Sequence, residues 1–331
     1  MSGTPNLPNV NTGTQGIPPA SVAPQASDNA NKRYEIVERG QLHTLNYRSY
    51  FLDTQTQSIV SPFHDIPLVN EQYTALNAAQ GNVVYNMVVE VPRWTNAKME
   101  INKQLKLNPI VQDVKSGKPR FVHNVFPYHG YLWNYGALPQ TWEDPGHVDA
   151  DTQTVGDNDP LDVCEIGTGL HATGSIVPVK IVGVLGLIDE GETDWKLIGI
   201  DVRDKLAEQI NDITDVEKYL PGLLDATRRW FKYYKVPTGK PPNRFALNEQ
   251  YANREYAQKV INETRKYWEK LVSGETKVDE KVCSIANTTL NNQGTLNQQQ
   301  AKEIVEASEP HQAQPAKIDA SVHLVAYVQD Q

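Results

Sequence analysis

Cysteine is nearly absent, since the 331 residues hold two, Cys164 and Cys283. So few give neither a disulfide framework nor zinc spacing, and a reducing compartment fits. No apolar run reaches the roughly 18 residues that a membrane helix needs. A basic excess is missing too. Lys and Arg number 31 against 40 Asp and Glu, a formal net charge of −9. That balance argues against a general nucleic-acid binder, which would show a basic face. Residues 1–31 contain no Lys or Arg and no apolar core. They read as neither a mitochondrial presequence nor a secretory signal, so the cytoplasm is the expected compartment, with nuclear presence allowed. Without a secretion signal, the acceptor patterns at Asn262 and Asn287 mean little for glycosylation. No G-x-x-x-x-G-K-[ST], G-x-S-x-G or H-E-x-x-H occurs, which removes the P-loop, the nucleophile elbow and the zincin helix.

Apolar residues make up 39% and charged residues 21%, as in a soluble globular chain. Residues 1–32 are rich in Pro, Asn, Gly, Ser and Thr and read as a disordered tail. Residues 284–331 form a polar extension. Its first part, 284–316, resembles the tail in composition, and an apolar stretch at 321–328 would fold back as a strand. The globular body is expected over 33–283, with no internal repeat. Its first two thirds read as strands, at VVYNMVVEV (83–91), IVPVKIVGVLGLI (176–188) and WKLIGIDV (195–202), the last two forming a hairpin. The last third reads as helix, over 215–235 from an Asp215 cap and over 248–274 to a Gly cap. Strands before helices without βαβ alternation predict an α+β, mainly β fold, or a barrel with flanking helices.

Against that background GDNDPLDVCEIG, 156–167, places Asp157, Asp159 and Asp162 within six residues. Most strings of this kind are polar surface turns. Carboxylates this close repel unless a cation sits among them. An EF-hand loop does not fit, because its fifth, sixth and twelfth positions would be Leu161, Asp162 and Thr168. Carboxylates without His or Cys favour hard cations such as magnesium or manganese. Spacing alone leaves both the turn and the metal site open.

Four further stretches carry chemistry. In LIDEGETDWKLIGI, 187–200, Asp189 and Asp194 are expected at the two strand ends, facing each other across a hairpin tip. Lys196 would share the face of Asp194. In VEVPRWTNAKMEI, 89–101, Lys98 and Glu100 project together if extended, and Glu90 stands near the Pro that ends its strand. An exposed Lys–Glu pair alone means little. KPRFVHNVFPYHGYLWNYGALPQTWEDPG, 118–146, is dense in aromatics that suit a core, while Arg120 and Tyr135 could donate to phosphate. WFKYYKVP, 230–237, puts Tyr234 and Lys235 at a helix end, as an ordinary last turn or as two more anion donors.

Taken together, the stretches resemble the family I soluble inorganic pyrophosphatases of the eukaryotic type. The carrying signature is D-x-D-P-hydrophobic-D at Asp157–Asp162, followed and preceded in order by PFHDIPL, VEVPRWTNAKMEI, KPRFVHNVFP, HGYLWNYGALPQTWEDP, LIDEGETDWK, NDITDVEKYLPGLL and WFKYYKVPTGKP. The resemblance covers residues 34–272 and leaves both tails without a counterpart. It implies hydrolysis of pyrophosphate to two phosphates with magnesium, in an OB-like five-stranded β-barrel with flanking helices. It further implies that Asp157, Asp162, Asp194, Asp189 and Glu100 hold several metal ions, and that Asp159 orients and deprotonates a water. Lys98, Arg120, Tyr135, Lys196, Tyr234 and Lys235 would bind the phosphates, and Glu90 would line the site. Manganese is the expected substitute and calcium the expected inhibitor, because calcium coordinates more loosely.

The resemblance also implies a homodimer, with Trp94 and His129 in the contact region, and possible recruitment to larger complexes. No direct nucleic-acid or membrane binding is expected. Two other functions compete. One is a metal-dependent hydrolase of nucleotides or phosphate esters, which a substrate panel would separate. The other is an interaction subunit whose tails recruit partners, which co-purification would separate.

Overall fold

The computed structural model describes residues 33–77 and 81–329. The expected N-terminal tail lies outside the described residues. Five strands close into a ring, in the order 192–201, 162–165, 134–137, 84–91, 176–189 and back to 192–201. All neighbours are antiparallel except 162–165 and 192–201, which run parallel. A smaller sheet of strands 34–39, 48–53, 58–60, 99–101 and 110–112 lies beside the ring.

The ring explains the apolar runs. Every residue of Val84–Val91 is buried, so both faces of that strand need apolar side chains. Alternation sorts Tyr85, Met87 and Val89 to one face, with Trp195, Leu197, Val260 and Ile261, and Val88 to the other, with Ile198, Ile200, Trp230 and Phe231. Val91 breaks the alternation and joins the cluster of Val88, because the register against strand 134–137 skips Glu90. Where strands 84–91 and 134–137 shift register, Gly136 sits so close that an added Cβ would lie 2.0 Å from the Val88 carbonyl oxygen.

Among the described residues five α-helices accompany the sheets, namely α1 (Glu71–Leu76), α2 (Ile213–Tyr219), α3 (Leu223–Tyr233), α4 (Arg254–Ser273) and α5 (Gln298–Glu306). The single helix expected over 215–235 is two helices, because Pro221 and Gly222 interrupt it. The cap of α2 is Asp212, not Asp215. Asp215 stands three residues in and reaches back to the cap backbone, forming a capping box. Helix α4 begins at the Asn253 cap, later than the expected 248, and ends as expected at Gly274.

The stretch 284–316 differs from its tail-like composition. Its helix α5 buries Ala301 and Val305 against Tyr50, Ile59 and Leu107. The polar residues before it are spent on hydrogen bonds. The Asp65 carboxylate accepts from the Thr288 and Thr289 N–H groups at 3.0 Å each. The segment is therefore held to the body both by polar contacts and by a few apolar side chains packed onto the body's core. Near the C-terminus, Val325–Ala326 pairs in parallel with Asn124–Val125.

Candidate active site

The hairpin of strands 176–189 and 192–201 sets the first positions. Asp194 lies opposite Leu187, and Asp189 lies opposite Glu192. The two aspartates therefore share one face but stand diagonally, not directly across the tip as the sequence suggested. Lys196 follows on the same face, and parallel register brings Asp162 beside it. The Lys196 ammonium bonds both the Asp162 and the Asp194 carboxylates. It also reaches the Tyr135 hydroxyl at 2.9 Å, which donates to Asp162 Oδ2 at 2.5 Å.

The aspartate triplet is a tight turn rather than an extended stretch. Asn158 adopts a left-handed conformation at φ 70°, which Asn tolerates better than most residues. Asp157 Oδ1 accepts the Asp159 N–H at 3.0 Å. The turn is sewn to the segment before it: Glu143 N donates to the Asp159 carbonyl and Asn158 N to the Glu143 carbonyl, both at 2.9 Å. A side chain at Gly156 would collide with that same Glu143 carbonyl, its Cβ lying 2.4 Å away. This local pairing carries Glu143 into the site. Carboxylate oxygens of Glu143, Asp157 and Asp194 lie within 4.8 Å of one another.

This trio is electrostatically incomplete. Burial, then the charges of Asp157 and Asp194, push the Glu143 carboxyl well above its usual range. Burial, then Asp159 and Asp194, do the same to Asp157. Burial raises Asp194 to about 7 even though Lys196 opposes the rise. Glu143 Oε1 accepts from the Trp195 N–H at 3.0 Å, but its buried Oε2 has no partner among the described residues. A buried carboxylate oxygen without a donor is costly. An all-oxygen donor set with one orphaned oxygen fits a hard cation.

Around the trio, each basic or phenolic candidate is paired with an acid. Lys98 bonds Glu100 Oε2 at 2.5 Å, and Arg120 bonds Asp113 Oδ2 at 2.8 Å. Tyr234 and Lys235 grip the two oxygens of Asp189 at 2.7 and 2.6 Å. Helix α3 delivers Tyr234, whose ring stacks on Trp230 at 4.8 Å. Glu90 is buried and accepts the Ile101 N–H at 2.7 Å, tying the ring to strand 99–101. Burial raises Glu90 well above its usual range, with the Asp162 charge adding to it.

The pairs act on one another. Asp162 bears on Glu90, Asp159 on Glu100, Asp189 on Asp194, and Tyr234 on Arg120. All thirteen sequence candidates thus share one electrostatic neighbourhood. Arg120, Tyr234 and Lys235 line a cavity of about 210 Å³. A larger groove of about 760 Å³, beside α4, holds none of the candidates.

Sequence reasoning missed three members. Glu143 lies in an aromatic-rich block, fourteen residues before Asp157, with no spacing signal to connect them. Lys103, whose ammonium is 2.5 Å from Asp159 Oδ1, lies just past the strand that carries Glu100, where alternation no longer predicts a face. Asp113 holds Arg120 across a turn. The aromatics Tyr131, Trp133 and Trp142 are buried core residues, as their plainer reading had it.

Residues 87–269 match the family model described as inorganic pyrophosphatase. The chain is 54% identical to the inorganic pyrophosphatase of Debaryomyces hansenii over 86% of its own length and 94% of that protein. Among solved structures, the inorganic pyrophosphatase of Schistosoma japonicum superposes with a TM-score of 0.80 at 45% identity, covering 89% of this chain and all of that one. The truncated vacuolar soluble pyrophosphatase of Trypanosoma cruzi, solved in complex with PPi, superposes with a TM-score of 0.66 at 38% identity. It covers 82% of this chain and 99% of that one.

Proposed function

The chain belongs to the inorganic pyrophosphatase family and hydrolyses pyrophosphate; from that premise we propose that it does so with magnesium held by Glu143, Asp157, Asp162, Asp194, Asp189 and Glu100. The observation that carries this reading is the orphaned, buried Glu143 Oε2 within the carboxylate trio. Bound magnesium supplies positive charge at the phosphates and lowers the pKa of a water near neutral pH.

The protein's own groups do the rest. Asp159, on its tight turn, takes the proton of the attacking water. Arg120, with its forked donors, and Lys98, Lys196 and Lys235 receive the phosphate oxygens, while Tyr135 and Tyr234 donate through their hydroxyls. Their carboxylate partners hold these donors at the site, and on binding the Tyr135 and Tyr234 hydroxyl protons turn from Asp162 and Asp189 to the phosphate. They offset the charge that grows on the leaving phosphate, which is most of what phosphoryl transfer demands. Glu90, between the ring and strand 99–101, lines the site.

Manganese substitutes in this reading and calcium inhibits. The test is phosphate release from pyrophosphate at neutral pH with magnesium, calcium or chelator. Release that survives chelation would remove the metal from the mechanism.

The finer architecture and setting belong to the same reading. The closed five-strand ring is an OB-like barrel. Trp94 is 58% exposed, and exposed His129 lies near it, since Trp94 N bonds the Tyr131 carbonyl at 2.7 Å. That apolar spot serves a homodimer, and recruitment to larger complexes would use other surfaces. Sedimentation of the native chain as a monomer would sink the dimer. Two buried free thiols suit the cytoplasm, which cell fractionation tests. Among the described residues no helix is long and apolar enough to cross a membrane.

A further inference from the structure

The C-terminal extension runs directly behind the aspartate turn. Asn158 spends its side chain in two directions. Its Oδ1 accepts the Trp142 indole N–H at 3.0 Å, and its Nδ2 donates to the Val282 carbonyl at 3.3 Å. Two residues on, Ser284 N donates to the Lys103 carbonyl at 2.7 Å. Lys103 in turn bonds Asp159 Oδ1 at 2.5 Å and the Asp157 carbonyl at 3.4 Å. The same short segment therefore touches both supports of the Asp159 carboxylate.

The segment is itself anchored to the body. The Ser284 carbonyl accepts from His64 Nε2 at 3.0 Å and from Asn108 Nδ2 at 3.2 Å. Trp268 of α4 donates its indole N–H to His64 Nδ1 at 3.0 Å. An indole can only donate, so His64 Nδ1 accepts and Nε2 carries the proton toward Ser284. A few residues further, Asp65 gathers Thr288 and Thr289. It accepts both backbone N–H groups at 3.0 Å and the Thr289 hydroxyl at 2.6 Å, and also takes the Ser61 N–H at 2.8 Å. The anchors on the body, Ser61, His64, Asp65, Asn108 and Trp268, are buried, while Thr288 is half-buried and Thr289 exposed.

We propose that residues 282–289 are a working part of the site: a brace that sets Lys103 and the Asp157–Asp159 turn, with Lys103 and Asn158 as positioning residues for Asp159. Lys103 holds one oxygen of Asp159, and among the described residues no hydrogen bond takes the other. Its ammonium also offsets the repulsion between neighbouring aspartates before any metal arrives. Cys283 and Ile285 pack the segment against the apolar core, while backbone carbonyls and N–H groups carry its contacts to the turn and to Lys103. The inference rests on Asp159 being the base.

The test compares Lys103→Met, Lys103→Arg, Asp65→Ala and Asp159→Asn with the full-length protein. Lys103→Met is expected to lower kcat about 10²-fold with KM nearly unchanged, as a misplaced reacting group does. Lys103→Arg should recover most of the loss. Calorimetric magnesium binding to substrate-free Lys103→Met should be no weaker than wild type, because a competing cation has been removed. Asp65→Ala, outside the chemistry, should raise amide exchange over 282–289 and lower kcat in the same direction.

Three results would overturn the brace. One is Lys103→Met with kcat within about twofold of wild type. Another is magnesium binding lost together with kcat, which would mark general damage. The third is raised exchange in Asp65→Ala with kcat unchanged. An inactive Asp159→Asn beside a fully active Lys103→Met defeats the brace alone. A fully active Asp159→Asn defeats the assignment of the base.

Discussion

One strand carries two aspartates that began alike and ended opposite. Asp194 and Asp201 both lie on strand 192–201, and each is 6% exposed. Burial alone would raise both. At Asp201 the rise is overcome by hydrogen bonds from His171 and Arg203, and its carboxyl drops to about 2. Arg203 supplies a fork, Nε to Oδ1 at 2.9 Å and a terminal nitrogen to Oδ2 at 2.7 Å. At Asp194 burial wins, and the carboxyl rises to about 7 although Lys196 lies against it. The difference is the company. Lys196 is shared with Asp162, and Glu143 and Asp157 crowd the same space. One end of the strand is a finished ion pair, and the other lacks positive charge. A finished pair holds the fold; an unfinished cluster is where a cation and an anionic substrate belong.

Substitution should break the two ends differently. At the unfinished end, Asp159→Asn should keep the fold and most magnesium binding and lose about 10²–10⁴-fold in kcat, the usual worth of a general base. Steady-state rates near wild type would contradict that role. At the finished end, Asp201→Asn should leave kcat near wild type. It should cost about 1.5–3 kcal/mol of stability, the scale of hydrogen bonds to a charged group, at the lower side because half of Arg203 is exposed. Urea denaturation reads the cost directly. If Asp201→Asn instead abolished turnover at full stability, the two ends would not be separable.

The comparison also fixes a sign with pH. Glu143, Asp157 and Asp194 have folded-state carboxyls raised above their unfolded values. The metal-free fold is therefore favoured below pH ~4 by these groups and loses that favour as pH rises, through about 7 for Asp194. Magnesium binds the ionised forms, so the Tm increase it gives should be larger at pH 8 than at pH 5. An equal increase at both, by calorimetry, would deny that these carboxylates meet the metal. The smallest effect is expected far from both ends. Trp94→Ala should weaken self-association, seen by sedimentation, and change kcat little.

Much of the ring was legible, because strands 84–91, 176–189 and 192–201 write their burial as β-branched runs. Helix α4 was legible from its period and its Gly274 cap. The break between α2 and α3 was written in Pro221–Gly222 but outweighed by the apolar period on either side. The candidate site was legible where residues lie close in sequence, as in Asp157–Asp162, or alternate along one strand, as do Asp194 and Lys196. Glu143 and Lys103 were not, since only backbone pairing between distant segments brings them in. The polar segment before α5 failed for a related reason. Its partners, Asp65 and His64, lie more than 200 residues away, and composition alone carries no trace of them.

The central claim is that the cluster of Glu143, Asp157 and Asp194 awaits a cation. Calorimetric titration of the substrate-free protein with magnesium, at neutral pH in two buffers of different ionisation enthalpy, tests it most directly. The account predicts saturable binding with proton release, both diminished in Glu143→Gln. Absence of binding, or binding without released protons and unaffected by Glu143→Gln, would contradict it.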